Sequence, residues 1–183
     1  MAHLSRKIAD ERVEQRSIGP AEMIQIRPAT ADEAAEITNL LRQIATWLQH
    51  KGEPLWNPES FTTSLVQSGI ERGDWILAKQ GAILAGIVLR QTEDPEGWPD
   101  RKPGDAFYLH KLCVSRAFAG QGVSRKLIEW LSQSAHSLGR GYLRLDCAPR
   151  PALLNLYPSL GFKLVDQRLI GGHPTHRFER KIR

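Results

Sequence analysis

The stretch from Tyr108 to Leu138 constrains this chain more than any other. Tyr108-Leu109-His110-Lys111-Leu112-Cys113-Val114 is rich in apolar and aromatic residues and predicts a β-strand. Val123, Leu127, Leu131, Ala135 and Leu138 then recur at helical spacing. Between them, Gly120-Gln121-Gly122 allows a tight turn and leaves its N–H groups uncovered by side chains. Those N–H groups, with the unpaired donors of a helix N-terminus, form an anion site suited to a pyrophosphate. The dinucleotide fingerprint G-x-G-x-x-G is not met, because position 125 is Arg, and the P-loop pattern is absent here too.

Elements can be read along the rest of the chain. Residues 1–22 are polar and predict an N-terminal extension; residues 23–183 predict a single domain. Ile24 to Arg27 alternates as a first strand. Thr30 and Glu33 fit a capping box, followed by a helix through Ala34, Ile37, Leu40, Leu41, Ile44 and Leu48 that stops near Gly52. Ser60 is the expected cap of a second helix through Phe61, Leu65 and Ile70. Trp75–Lys79 and Ile83–Gln91 form a hairpin about Gln80-Gly81. Asp94 to Gly104 is a loop. Tyr142–Cys147 is a strand, and Leu153 to Leu160 a helix. Phe162–Leu169 and His176–Ile182 are the last strands, joined at Gly171-Gly172. The order β-α-α-β-β-β-α-β-α-β-β predicts an α/β fold, a mixed sheet with helices on both faces.

Composition excludes several classes. No run approaches the ~18 apolar residues of a membrane span, and the N-terminus lacks a secretory signal's apolar segment. The two cysteines, Cys113 and Cys147, sit in apolar runs, so buried free thiols and a cytoplasmic setting are expected. Neither C-x-x-C nor H-E-x-x-H occurs, so no metal is expected. Residues 23–100 hold six Lys/Arg and eleven Asp/Glu, whereas residues 101–183 hold fifteen and five. The basic half contains the phosphate turn, as a polyanionic ligand favours. The pI of about 9.5 alone does not argue for nucleic acid, because no recognition helix or aromatic RNA-binding motif accompanies it.

The region from the strand to the turn resembles the GNAT superfamily of N-acetyltransferases. That family carries [QR]-x-x-G-x-[GA] after a strand ending in an apolar triplet. Here it falls on Ala119-Gly120-Gln121-Gly122-Val123-Ser124: Gly122 matches, Ala119 replaces Gln or Arg, and Ser124 replaces Gly or Ala. Downstream, Tyr142–Cys147 is similar to the family's fifth strand, and Leu153 to Phe162 to its last helix with the closing Gly161-Phe162. Thr46-Trp47-Leu48 and Leu55-Trp56 resemble a bacterial subset. The likeness runs from Ile24 to about Lys181. It implies a central, mostly antiparallel sheet of six to seven strands, with the fourth and fifth splayed around coenzyme A. It also implies transfer from acetyl-CoA to the primary amine of a small molecule or peptide by direct attack in a ternary complex, with a homodimer left open. The acidic half is where such proteins build the acceptor site, which leans toward a cationic amine. Solvated surface charge explains the same asymmetry.

Roles follow by matching position to position. Tyr157 is the candidate acid, because a phenol near pKa ~10 can protonate a nascent thiolate whose conjugate acid is near ~8.5. Its plain alternative is core packing. His110 is the candidate base: Leu109-His110-x-Leu112 resembles the arylalkylamine acetyltransferases, where a His here removes the proton. A half-buried His bonded to a carbonyl, a carboxylate base or a water relay are the alternatives. Alternation places Tyr108, His110 and Leu112 on one face if no bulge intervenes. The resemblance assigns the cofactor to the backbone of Leu112, Cys113 and Val114 and to Ala119, Gly120, Gln121, Gly122, Val123, Ser124 and Arg125; Asn155 is a further candidate for the pantetheine amide, although the family's usual Asn sits earlier in this helix, nearer Arg150. Trp47, Trp56 and Trp98 are candidates for the acceptor wall. A module that binds acyl-CoA without turnover is the competing function.

Overall fold

The computed structural model describes residues 23–182; the predicted extension, 1–22, lies outside them. The chain forms β1 (Gln25–Pro28), α1 (Ala34–His50), α2 (Thr63–Glu71), β2 (Trp75–Gln80), β3 (Ile83–Gln91), β4 (Ala106–Val114), α3 (Val123–Ser137), β5 (Tyr142–Cys147), α4 (Pro151–Ser159), β6 (Lys163–Ile170) and β7 (His173–Lys181). This is the predicted order. Among the described residues, no helix is long and apolar enough to cross a membrane.

Local chemistry accounts for the helix starts. The Thr30 N–H donates to Glu33 at 2.9 Å, and the Glu33 N–H to the Thr30 carbonyl at 3.0 Å. The same carboxylate accepts from Arg27 and Lys79 at 2.8 and 2.9 Å, tying β1 and β2 to the entry of α1. Its pKa is held well below the usual carboxylate range, chiefly by Arg27. The second helix starts later than predicted. Pro58 opens a short 3₁₀ turn, and the Ser60 hydroxyl donates to the Asn57 carbonyl at 2.7 Å. The cap passes to Thr62, whose oxygen accepts from the Leu65 N–H at 3.2 Å.

Seven strands form one sheet in the order β1-β2-β3-β4-β5-β7-β6. All pairs are antiparallel except β4–β5. Helices α1 and α2 cover one face, packing Ile37, Leu41 and Val66 against Leu77, Ile87 and Cys113. Helices α3 and α4 cover the other, packing Leu127, Leu131 and Tyr157 against Val88, Phe107 and Leu143. The β4–β5 ladder runs from Ala106↔Tyr142 to Leu109↔Leu145 and stops. Beyond it, β4 continues to Val114 and β5 to Cys147 unpaired with each other, so the sheet forks.

The loop between β3 and β4 is clamped to the sheet by two buried arginines. Arg177 donates to Asp100 at 2.7 Å, to Asp166 at 2.6 Å and to the Gly97 carbonyl at 3.1 Å. Arg144 donates to Asp105, Glu179 and Tyr108. Arg177 also pulls the pKa values of Asp100 and Asp166 down. A carboxylate with a depressed folded-state pKa binds fewer protons folded than unfolded around pH 4, so its contribution is present above the unfolded value and lost as pH falls. Stability to urea is therefore expected to decline from pH 5 towards pH 3. Equal unfolding midpoints at pH 6 and pH 3 would contradict the assignment of these pairs.

Candidate active site

At the glycine turn, Gly120 and Gly122 take φ of +76° and +75°. A Cβ at either would meet nothing within 4 Å, so the space above the turn is open. Gly122 is the N-cap of α3 in the left-handed conformation and supplies no capping side chain. Among the described residues, no hydrogen bond takes up the N–H groups of Gly120, Gly122, Val123, Ser124 or Arg125. Gln121 differs from expectation: its N–H donates to the Phe118 carbonyl at 3.2 Å and its side-chain amide to Ala117 at 2.9 Å. Turn closure therefore uses the donors of Gln121 internally. Val123 is buried and offers only backbone, and Arg125 donates to the Ser159 carbonyl at 2.9 Å, bridging α3 to α4. The groove here is about 300 Å³, lined by Val114, Ala119 and the turn on one side and Leu156, Ser159 and Leu160 on the other. Gly86, which pairs with Val114, lets α3 approach the sheet: a Cβ there would lie 2.9 Å from both the Cys113 carbonyl and Val123. Sequence reading did not single it out.

A second cavity, about 180 Å³, lies in the fork. Leu109, His110, Lys111 and Leu112 line it from β4, Leu145, Asp146 and Cys147 from β5, and Leu153 and Tyr157 from α4. The loop after α1 adds Leu55 and Trp56, and Arg150 at the start of α4 tethers it through the Glu53 and Pro54 carbonyls. The bulge left open by alternation is present. His110 pairs with Leu89 and Cys113 with Ile87, so Lys111 and Leu112 oppose Val88 alone. Lys111 takes φ +51°. Leu112 consequently packs with the α3/α4 core and Cys113 with the α1/α2 core. Leu112 does not share a face with Tyr108 and His110.

Each candidate can now be placed. Tyr157 is buried against Phe162 and Phe178, at 6.0 and 5.7 Å between ring centroids. Burial first, and then Cys147, Cys113 and Asp146, raise its pKa, so the phenol keeps its proton at neutral pH. His110 lies 3.5 Å from the Asp94 carboxylate, whose other oxygen accepts from the Gly97 N–H at 2.9 Å. Donor atoms of Asp94, His110 and Asp146 lie within 4.8 Å of one another. Burial raises the pKa of Asp146. Cys113 is buried and its thiol is pushed up to about 12, so it is no nucleophile. Asn155 is exposed and lines neither space. Helical geometry explains this: Leu153 and Tyr157 face the fork, and a residue two positions from each points away. Of the tryptophans, only Trp56 lines the cavity. Trp47 stacks with Lys51 and Arg116, and Trp98 is buried under Arg177.

Comparison with known proteins agrees with this geometry. The sequence model of the acetyltransferase (GNAT) domain matches residues 71–164. The uncharacterized N-acetyltransferase YesJ of Bacillus subtilis (strain 168) is 31% identical over 162 residues, covering 85% of this chain and 88% of its own. The chain belongs to the GNAT acetyltransferases. A GNAT-family acetyltransferase from Listeria monocytogenes 4b F2365 superposes with a TM-score of 0.72 at 25% identity, covering 86% of this chain and 94% of that one. YncA of Salmonella typhimurium, solved with acetyl-CoA, shares the fold with a TM-score of 0.66 at 16% identity, covering 87% and 94%. This GNAT acetyltransferase thus has the mixed, mostly antiparallel seven-stranded sheet its sequence predicts.

Proposed function

We propose that this acetyltransferase transfers an acetyl group from acetyl-CoA to the primary amine of a small molecule, with both substrates bound together. One observation carries the reading. The same two elements, β4 and α4, border both a groove at a turn with five uncommitted N–H donors and a cavity lined by a protonated phenol and an imidazole. Acetyl-CoA supplies an acetyl group activated as a thioester.

The chain's residues fit that task. The N–H groups of Gly120, Gly122, Val123, Ser124 and Arg125 receive the pyrophosphate, and the helix dipole of α3 favours its charge. Beyond Leu109 the β5-facing edge of β4 is unpaired, so its backbone is available to a pantetheine arm. His110 takes the proton from the acceptor amine, with Asp94 beside its ring. Tyr157 holds a proton at Oη for the departing sulfur.

Coenzyme A should raise the melting temperature of the native protein, and Gly122→Asp should abolish that shift by setting a carboxylate among the phosphate donors. Gly122→Ala, strained at this φ but uncharged, separates folding damage from repulsion. A shift that survives Gly122→Asp would place the pyrophosphate elsewhere. If coenzyme A binds but a broad amine and peptide screen yields no free thiol, the fold is serving as an acyl-CoA-binding module.

A further inference from the structure

The fork cavity contains a charge that the transfer chemistry leaves unused. Lys111 is the only non-glycine residue among those described with a positive φ. Alternation from Leu109 would send its side chain to the α3/α4 face. The bulge instead turns it to the acceptor side, beside the loop that carries Trp56. There Nζ lies 4.8 Å from the Trp56 ring centroid and 5.8 Å from that of Phe61. Among the described residues, no carboxylate comes within ion-pairing distance, 4.0 Å, of this ammonium. Burial lowers the pKa of this half-buried cation, and the two ring faces together with the Asp146 carboxylate, beyond ion-pairing distance, offset that cost only in part.

The opposite sign is also present in the fork. Asp146 from β5 and Asp94 from the β3–β4 loop flank His110. The cavity is therefore bipolar, with the Lys111 ammonium on an aromatic wall and the Asp146 carboxylate beside the imidazole, while Asp94 backs the ring from outside the lining. A purely cationic acceptor would leave Lys111 unpaired and add a like charge to the same small space. A neutral amine would also leave it unpaired.

We infer that the acceptor is a small aminocarboxylic acid, whose carboxylate pairs with Lys111 while its amine faces His110 and Asp146. This deepens the proposed function and rests on it. In the reaction, the acceptor nitrogen forms a bond to the acetyl carbon and the carbon–sulfur bond breaks. The bond pair leaves with sulfur, the amine proton passes to the base, and the thiolate takes one proton. Lys111 takes no part in these steps and acts on affinity alone.

The test uses matched pairs, each an amino acid and the amine left by its decarboxylation, with acetyl-CoA and thiol detection. The wild type should favour the amino acid by about 10–100-fold in kcat/KM, the scale of one charge-assisted hydrogen bond. Lys111→Met should raise KM for the amino acid and erase the preference within a pair. Lys111→Arg should restore it, which shows that the site is still folded. A wild type that prefers the decarboxylated amine, or a Lys111→Met variant that lowers both members of a pair alike, overturns the inference. If neither series turns over, calorimetric titration of the same amino acids into the coenzyme A complex decides: no binding overturns it, and binding lost in Lys111→Met supports it. Acetylation of other amines alongside such a failure would leave the acetyltransferase reading standing. Absence of any acetylation would remove that reading separately.

Discussion

Tyr157→Phe should lower kcat about 10²–10⁴-fold, the range associated with a positioned general acid. The substitution is clean for a structural reason. Among the described residues the Tyr157 hydroxyl donates to and accepts from nothing, so removing it orphans no partner. The ring contacts with Phe162 and Phe178 remain. Thermal stability and the coenzyme A shift should therefore change little, while turnover falls with KM nearly constant. The loss should shrink with an acyl donor whose leaving group departs without a proton. Equal turnover by the wild type and Tyr157→Phe would refute the acid role without touching the family. His110→Gln provides the companion measurement. If His110 is the base, its loss should depress kcat on the same scale. If Asp146 or a water takes that proton, activity should persist in His110→Gln.

How much of this site was legible depends on the distance over which each part is organised. The glycine turn, the start of α3 and the position of Tyr157 before Gly161-Phe162 are local, and each was readable within a few residues. The fork was less so. Its strand pairing is fixed by where β5 lands beside β4, and only the family resemblance pointed to it. The bulge could not be read because the residue at positive φ is Lys111, and a lysine carries no turn signal. Its one trace was a charged residue in an apolar strand, and Asp146 in Tyr142–Cys147 left the same trace. Asp94 left none: it reaches His110 from a loop sixteen positions upstream, through three-dimensional packing. Asn155 stands away from both spaces for the opposite reason. Its identity suited an amide contact, but the period of α4 turns it to the outside.

The loop bearing Asp94 makes the last expectation one of stability coupled to catalysis. Arg177 is fully buried and is shared by Asp100, Asp166, the Gly97 carbonyl and the face of Trp98. Breaking a buried ion pair from one side costs about 3–5 kcal/mol because the partner stays desolvated. Here Asp100 and Asp166 are each about a third exposed, so water can reclaim them and the lower end applies. Arg177→Met, which keeps most of the apolar stem, should cost about 3 kcal/mol, or a melting temperature lower by about 6–12 °C. The same change frees the Gly97 carbonyl, next to the N–H that holds the Asp94 carboxylate. Turnover should fall along with stability, and coenzyme A binding at the distant glycine turn should survive. A second variant isolates the catalytic part. A Cβ at Gly97 would lie 2.6 Å from Asp94 Oδ2, so Gly97→Ala must push that carboxylate aside while leaving Arg177 and its aspartates in place. If Arg177→Met slows the enzyme through Asp94, Gly97→Ala should slow it as well with a smaller loss of stability. Full activity in Gly97→Ala would restrict Arg177 to holding the fold.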